Sequence, residues 1–167
     1  MMRMTLEEFL MQYRRSLEQA SELDDQIAEA EMIHRHLTAT YEVEPVRGSR
    51  SNREAESPEI LDLKAKKERI LQDGRERRQE ISDFIKSITA DVQPLVLQRE
   101  QRLLQLYYCD LLSWNEIKKL LRPLHMRKGK VVVNTGRARG ISETQMFRLR
   151  QDALAHAERV YQRRMLG

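Results

Sequence analysis

The sequence predicts an all-α protein in which two long helices precede three shorter ones. Charged residues make up 34% of the 167 positions, whereas the chain holds only six Gly and four Pro. This balance suits solvated helices better than sheets, which favour β-branched and aromatic side chains. Apolar residues also recur every three or four positions, and three capping boxes mark helix starts. We therefore expect a helical protein.

The first long helix is predicted to begin at Thr5, because Thr5 and Glu8 form a capping box that satisfies two free amide donors. A helix of about 35 residues is about 50 Å long, too long to bury its apolar stripe against a small globule. It therefore needs a second long helix beside it. The stripe consists of Leu6, Leu10, Tyr13, Leu17, Ala20, Leu23, Ile27, Ala30, Ile33 and Leu37.

A connecting loop is predicted at residues 41–57, which show little apolar periodicity. Ser57 and Pro58 then start the second long helix, with Ser as its cap and Pro at its first position. Its heptad stripe is apolar at both ends and polar in the centre: Ile60, Leu63, Lys67, Ile70, Gly74, Arg77, Ile81, Phe84 and Ile88. We expect residues 1–92 to form an antiparallel helical hairpin or coiled coil, either as a plain scaffold or as a surface that pairs with a second copy.

Three shorter helices are predicted in residues 93–167. The first follows Pro94, and capping boxes at Ser113 and Ser142 open the other two. This succession fits a helix-turn-helix in which the second capped helix enters the major groove of DNA, although a neutral three-helix bundle shows the same pattern. The residues of the two capped helices predicted to face inward are Ile117, Leu120, Leu121, Met146, Leu149, Ala153, Leu154, Ala157 and Val160.

The charges are unevenly divided along the chain. Residues 1–98 carry 15 Lys/Arg and 20 Asp/Glu, whereas residues 99–167 carry 15 Lys/Arg and 6 Asp/Glu. Between Lys118 and Arg150, ten basic residues stand against one acid, Glu143. This excess predicts a polyanionic partner, because neutralising phosphates releases counterions from nucleic acid. The alternative is a basic face kept for solubility, although solvated faces usually interleave both signs.

Two stretches resemble a known family. The stretch LLQLYYCDLLSWNEIKKLL resembles region four of bacterial sigma factors, with matching residues Tyr108, Leu112, Ser113, Trp114, Glu116 and Ile117. The stretch ISETQMFRLRQDAL resembles the recognition helix of small sigma-like regulators of phages and prophages, of the ArpU and RinA type. Its matching residues are Ser142, Glu143, Gln145, Phe147, Arg148, Leu149, Ala153 and Leu154. The resemblance implies a DNA-binding helix-turn-helix and a role in activating phage late genes.

One segment departs from the family pattern. Family members join the capped helices by a few residues, but here residues 122–140 intervene, with six basic side chains and no acid. Val131 to Val133 followed by Asn134-Thr135-Gly136 predict a strand and a turn, with Arg137 to Arg139 as the returning strand. We expect a small basic β-hairpin that contacts DNA; the alternative is a loop that orders only on DNA or only aids solubility. Packing of the capped helices then depends on Trp114, Ile117, Ile141 and Met146.

The predicted DNA contacts are the side chains left outside the predicted core. Gln can form two hydrogen bonds with adenine and Arg two with guanine, whereas Thr or Phe can touch a thymine methyl group. The residues predicted to contact bases are Thr144, Gln145, Phe147, Arg148 and Gln151, of which Gln145 and Arg148 are the first choices. The residues predicted to contact phosphates are Lys118, Lys119, Arg127, Lys128, Lys130, Arg137 and Arg139.

The sequence shows no catalytic pattern. It has no Walker loop, no HExxH and no GxSxG, and its single cysteine, Cys109, lies in an apolar stretch where inert burial is expected. We therefore expect no enzyme activity, no metal and no cofactor. No apolar run is long enough for a membrane span or a signal peptide, which predicts a cytoplasmic protein of a bacterial host cell.

The expected function is sequence-specific regulation of phage or prophage transcription by a protein that binds double-stranded DNA as a homo-oligomer, with a dimer favoured. Two alternatives stay open at this point. Small terminase subunits of phage packaging machines also join a helix-turn-helix to coiled-coil helices, and they would form a larger ring. The sigma-like part could instead dock on bacterial RNA polymerase without touching DNA.

Overall fold

The computed structural model describes residues 4–41, 56–133 and 140–167. Within these ranges the protein is helical apart from one two-stranded antiparallel sheet, which agrees with the predicted all-α class. A π-helical segment, Gln105–Cys109, continues the fourth helix. The helices are α1 Leu6–Leu10, α2 Gln12–Tyr41, α3 Pro58–Lys86, α4 Pro94–Leu104, α5 Trp114–Leu120 and α6 Glu143–Leu166, and the strands are β1 Leu124–Arg127 and β2 Lys130–Val133.

The chain divides into two compact units. The paired-helix unit is Arg14–Glu76, and the core unit combines Met1–Tyr13 with Arg77–Gly167. These units do not follow the division predicted after residue 92, because the apolar ends of α1 and α3 share one core with the C-terminal helices. Periodicity shows that a helix face is buried, but it does not show which helices that face packs against.

The first helix starts where the sequence predicts. The Thr5 hydroxyl accepts a hydrogen bond from the Glu8 amide at 3.2 Å, and Glu8 Oε2 accepts one from the Thr5 amide at 2.7 Å. The single long helix predicted from Thr5 is, however, interrupted at Met11, which has φ −84° and ψ −5°. A break of one residue leaves the apolar spacing almost unchanged, so periodicity could not reveal it.

The paired-helix unit consists of two antiparallel helical segments, as predicted. Lys67 Nζ lies 2.5 Å from Asp24 Oδ1, and Lys64 Nζ lies 3.0 Å from Glu31 Oε1. Residue numbers rise along α2 as they fall along α3, so the two segments run in opposite directions. Lys64 also contacts Glu56, and the hydrogen bonds to Glu56 and Glu31 raise the pKa of Lys64. The buried apolar residues of this unit are Ala20, Leu23, Ile27 and Ile60.

The last two positions of the predicted α2 stripe are not buried. Ile33 is 54% exposed and Leu37 is 55% exposed within the described residues. Glu31 of α2 lies opposite Lys64 of α3, and α3 begins at Pro58, only six residues before Lys64. Only these few residues of α3 can therefore cover the part of α2 that follows Glu31. The end of α2 therefore has little of α3 to pack against.

The core unit is built around α6. Phe84 of α3 is 1% exposed and makes edge-to-face contacts with Phe9 and Tyr161, with ring centroids 5.4 and 5.9 Å apart. The Tyr161 hydroxyl donates to the Met4 carbonyl at 3.0 Å. Helix α4 packs along α6 and buries Leu103 completely. These contacts hold the C-terminal half of α6 and so fix the direction of its N-terminal half.

The start of α6 is tied to the end of α5. The Ile141 amide donates to the Lys118 carbonyl at 3.0 Å, and the Gly140 amide donates to the Leu121 carbonyl at 3.1 Å. Gly140 has φ +101°, and a Cβ there would lie 3.2 Å from the Lys118 oxygen, so this close approach favours glycine. The predicted packing is confirmed: Ile117, Ile141 and Met146 are buried and Trp114 packs partly buried against them. The prediction that Leu120 faces inward was wrong, since this side chain is 60% exposed.

A basic β-hairpin is present in the described residues. Strand β2 contains Val131 to Val133 as predicted, and its partner there is the preceding strand β1, with Leu124 opposite Val133 and Arg127 opposite Lys130. The predicted return strand, Arg137 to Arg139, is not tested by the described residues. The turn is Lys128-Gly129, whose φ values of +50° and +76° fit a two-residue type I′ hairpin turn. The predicted turn at Asn134 and the following residues to Arg139 lie outside the described residues.

Candidate nucleic-acid interface

The N-terminal turns of α6 form the centre of the candidate site. Ser142 caps the helix: its hydroxyl accepts from the Gln145 amide at 3.2 Å. Every residue predicted to contact bases is exposed in the structure, and Phe147, a large apolar side chain, is 59% exposed. The exposed set is Thr144, Gln145, Phe147, Arg148 and Gln151.

These exposed side chains share one side of α6. At 100° per residue, Thr144, Phe147, Arg148 and Gln151 fall within about 100° of one another. The opposite side carries the residues that α6 buries in the core unit, which are Met146, Leu149, Ala153, Ala157 and Tyr161. The core unit therefore fixes the helix by one face, and the other face is exposed.

Gln145 also forms the capping-box bond that the sequence predicted at Ser142. Its Oε1 accepts from the Ser142 amide at 3.0 Å, which completes the capping box. An amide oxygen has two lone pairs and the Nε2 group has two donors, so Gln145 can hold the cap and still offer one acceptor position and two donors. This cap restricts the rotamer of Gln145 before any partner binds.

Two of the predicted phosphate contacts lie on α5. Lys119 is exposed, whereas Lys118 is half-buried and its Nζ lies 3.3 Å from Glu143 Oε1 at the start of α6. This pair was not predicted, although Glu143 is the one acid between Lys118 and Arg150. The pair leaves Lys118 partly neutralised, so Lys119 is the stronger phosphate candidate.

The tip of the β-hairpin carries the next group of predicted phosphate contacts. Arg127, Lys128 and Lys130 are all exposed around the two-residue turn. The hairpin is attached to the core unit by a hydrogen bond in which the Val131 amide donates to Gln93 Oε1 at 3.1 Å, and β2 also packs against α4. Arg137 and Arg139, the last two predicted phosphate contacts, lie outside the described residues.

We call the exposed basic side chains of this region the basic surface. None of them forms a salt bridge with a carboxylate in the part of the chain that the structure describes. Its members are Lys119, Arg122, Arg127, Lys128, Lys130 and Arg148. Uncompensated charges of one sign on one region produce a field that attracts polyanions.

One basic residue of the region has an internal role that sequence reasoning missed. The Arg150 guanidinium lies 4.4 Å from the centre of the Trp114 ring, which stacks on Tyr107 with centroids 3.8 Å apart and planes 11° apart. This stack joins α6 to the start of α5 and to the π-helical segment. Arg150 therefore packs against Trp114 within the core unit. The position of Trp114 at the start of a capped helix is the sequence feature that points to this contact.

A buried acid–base pair lies behind the interface. Glu100 of α4 is 3% exposed, and its Oε2 lies 2.6 Å from Nδ1 of His156 on α6. Burial raises the pKa of the Glu100 carboxyl above its ordinary value, against the lowering effect of His156. Neither residue was predicted, since nothing in the spacing of a lone Glu and a lone His indicates that they meet.

The sequence also led to expectations about Cys109, metal ligands and membrane spans. Cys109 is 2% exposed, as predicted, and burial raises its pKa to about 11, which disfavours the reactive thiolate. Among the described residues no three His, Cys, Asp or Glu side chains come together as a metal site would require. None of the described helices combines the length and apolar character of a membrane span.

Comparison of the chain with protein-family models, with curated proteins and with solved structures finds no significant match.

Proposed function

We propose that this protein binds double-stranded DNA through the exposed side of the N-terminal turns of α6, with the β-hairpin and α5 on the phosphate backbone. The observation that carries the proposal is the combination of these surfaces. A helix face rich in polar side chains, with Phe147 exposed, lies next in the chain to six exposed basic residues that have no carboxylate partner among the described residues. Base contacts and phosphate contacts require these two kinds of surface.

In this proposal α5 and α6 act as the two helices of a helix-turn-helix. The hydrogen bonds from Gly140 and Ile141 to α5 support it, because they bring the end of α5 to the start of α6 despite the intervening hairpin. The start of α6 enters the major groove, where Arg148 reads guanine and Gln145 reads adenine. Phe147 and Thr144 contact thymine methyl groups.

We further propose that the DNA-bound form is a dimer made by the paired-helix unit. Within the described residues, the end of α2 and the start of α3 expose several large apolar side chains, namely Met32, Ile33, Leu37 and Leu61. Covering such side chains stabilises an association by the hydrophobic effect. Light scattering should give a dimer for the wild type and a monomer for the double variant Ile33→Asp and Leu37→Asp; a wild-type monomer would contradict this part.

The biological role proposed is regulation of transcription in a phage or prophage, as an activator of late genes. The resemblance of the two capped helices to sigma-like phage regulators supports this role, whereas the exposed side of α6 and the basic surface support only the DNA-binding part of the proposal. A genome-wide binding map in an infected or lysogenic host should show sites upstream of the late operon. Binding sites spread evenly over the genome would contradict a regulatory role and would show that the protein binds DNA without sequence specificity.

The sharpest test of DNA binding is the variant Gln145→Glu. Glutamate at this position keeps the capping box with Ser142, so the stability of α6 should not fall. The new carboxylate removes two donors and repels the polyanion, so affinity for a DNA site selected from a random pool should fall about 10-fold or more. Fluorescence anisotropy measures the affinity, and thermal unfolding measures the stability.

The matched control is Gln19→Glu, which makes the same charge change at an exposed position of the paired-helix unit. It should bind the selected DNA as the wild type does. If the two variants bind DNA with the same affinity, then the start of α6 does not contact DNA and the proposal is wrong.

A further inference from the structure

A groove of about 360 Å³ lies in the core unit between α4, the β-hairpin and α6. Its apolar wall includes Val96, Leu124 and Leu149, and several polar side chains reach the same space. Ligand sites typically combine an apolar lining of this size with a few convergent polar groups. The interactions described so far account for Glu100 and Gln145 on this groove, but not for Arg99.

Arg99 of α4 is the most unusual of these side chains. Its Nε is buried and has no hydrogen-bond acceptor, and the guanidinium forms no salt bridge among the described residues. Burial lowers the pKa of Arg99 from its ordinary value, because desolvation disfavours the charged form. A half-buried guanidinium with an unpaired buried donor is costly, and an anion bound beside it would reduce that cost.

The groove is lined by two arginine and two acidic side chains. Arg148 of α6 lines it together with Arg99, and the acids are Asp152 and Glu100. The carboxyl of Glu100 is engaged by His156 at 2.6 Å, and burial raises its pKa, which favours the neutral form. Among the groups without a salt bridge in the described residues, two guanidinium groups therefore stand against the single carboxylate of Asp152, which favours an anion.

We propose that this groove binds a small organic anion, a carboxylate or a phosphate monoester on an apolar body, with Arg99 and Arg148 on the anionic group. The apolar wall formed by Val96, Leu124 and Leu149 covers the body of the ligand. The planar guanidinium groups suit the geometry of carboxylate and phosphate oxygens. Double-stranded DNA offers the same anionic group, so the test must separate a free small anion from a backbone phosphate.

The consequence rests on the proposed DNA-binding function. Gln145 and Arg148, the first-choice base contacts, both line the groove. An anion held by Arg148 withdraws that side chain from guanine, so the ligand and DNA compete. The groove would then make DNA binding respond to a metabolite of the host cell.

The test uses the full chain and phenyl phosphate as the probe, with benzyl alcohol as the neutral compound of similar ring size. In NMR titrations phenyl phosphate should shift the amides around Arg99, Leu124 and Arg148 saturably, and benzyl alcohol should not. Arg99→Gln should weaken phenyl phosphate binding about 10-fold or more, the effect expected for losing a charged hydrogen bond. Arg102→Gln, exposed on the same helix, should leave it unchanged.

A second variant guards against a folding defect at Arg99. Arg148 is exposed, so Arg148→Gln should fold normally and still weaken the binding of phenyl phosphate. Saturating phenyl phosphate should also lower the DNA affinity of the wild type but not that of Arg99→Gln.

Equal binding of phenyl phosphate and benzyl alcohol, or unchanged binding in both Arg99→Gln and Arg148→Gln, would overturn the inference. So would a loss of DNA affinity in Arg99→Gln with phenyl phosphate binding intact, because the anion would then be a DNA phosphate. If the wild type binds phenyl phosphate at the groove but does not bind DNA, the anion site stands and the DNA-binding proposal fails.

Discussion

The two compact units of this protein use their charges differently. The core unit holds 19 Lys/Arg and 11 Asp/Glu, whereas the paired-helix unit holds 11 and 15. In the paired-helix unit, Lys64 and Lys67 each lie on carboxylates of that unit. On the basic surface of the core unit, no side chain has such a partner among the described residues. Charges that are neutralised internally hold two helices together, and charges left unneutralised attract an external polyanion.

The two units also bury their apolar residues to different extents. The core unit encloses residues such as Phe84, Leu103 and Ile117 at 0–1% exposure. The paired-helix unit has a seam interrupted by Lys67 and Gly74 and leaves Leu37 more than half exposed. We infer that packing stabilises the core unit, so its surface can be altered without unfolding it. The following predictions test this contrast.

The largest effect is expected from Phe84→Ala in the core unit. Truncating a fully buried Phe that contacts two aromatic rings should lower the free energy of unfolding by about 3–5 kcal/mol. Ile70→Ala in the paired-helix unit truncates a half-buried side chain outside the proposed dimer surface, so its cost should be smaller, about 1 kcal/mol. Urea unfolding followed by circular dichroism measures both. Similar losses in the two variants would contradict the contrast in packing.

The next effect concerns charge. Lys128→Gln with Lys130→Gln should weaken DNA binding about 30-fold at physiological salt and lower the slope of log affinity against log salt by about 0.9 per lost phosphate contact. The control is Lys64→Gln with Lys67→Gln, which changes the net charge equally but removes lysines already paired with carboxylates. This control should leave both affinity and slope unchanged. An equal loss in both double variants would mean that only net charge matters.

A single substitution separates charge from hairpin structure. Lys128 has φ +50°, a value that asparagine adopts more readily than lysine. Lys128→Asn should therefore keep or improve the hairpin turn while it removes one positive charge. DNA affinity should fall about 5-fold, half of the double variant's effect on a logarithmic scale. Affinity that rises with the better turn would show that hairpin order, and not charge, limits binding.

Glycine substitutions test the connection between α5 and α6. Gly140→Ala should lower the free energy of unfolding by about 1–2 kcal/mol, because φ +101° is strained for alanine and its Cβ would crowd the Lys118 carbonyl. In Gly129→Ala no atom lies within 4 Å of the new Cβ, so only the strain of φ +76° opposes the substitution. The free energy of unfolding should therefore fall by less than in Gly140→Ala. Thermal unfolding of both variants gives the order. A larger loss of stability in Gly129→Ala would mean that the hairpin turn, and not the connection between α5 and α6, is the more strained position.

The smallest effect is a dependence on pH. Burial raises the pKa of Glu100 above its ordinary 4.5, so the folded protein holds this proton more tightly than the unfolded chain. The contribution of Glu100 to stability is therefore present below the ordinary pKa and is lost as pH rises through the raised pKa. Glu100→Gln cannot ionise. Its stability relative to the wild type should improve between about pH 4 and about pH 7 in urea unfolding; a constant or opposite difference would contradict the assignment.

The helices were predictable from the sequence because their signals are local. The capping boxes at Thr5, Ser113 and Ser142 depend on residues three positions apart, and all three are formed. The exposure of Phe147 and Arg148 was also predictable, since helical spacing separates an apolar face from a polar one. These features need no knowledge of distant contacts.

The contacts between distant segments were not predictable in this way. The pairing of Glu100 with His156 joins residues 56 positions apart, and no pattern in either helix indicates it. The hairpin formed by β1 and β2, which turns at Lys128-Gly129, was not predicted either. The packing of β2 on α4 and the hydrogen bond from Val131 to Gln93 hold it in place, and both join positions that are distant in the chain.

The most direct measurement is an NMR titration of the isotope-labelled protein with a DNA duplex selected from a random pool. We expect the amides of Glu143 to Gln151 and of Leu124 to Val133 to shift saturably. The amides of the paired-helix unit, Arg14–Glu76, should shift little. Shifts concentrated in the paired-helix unit, with the start of α6 unaffected, would contradict the claim that α6 and the β-hairpin hold the DNA.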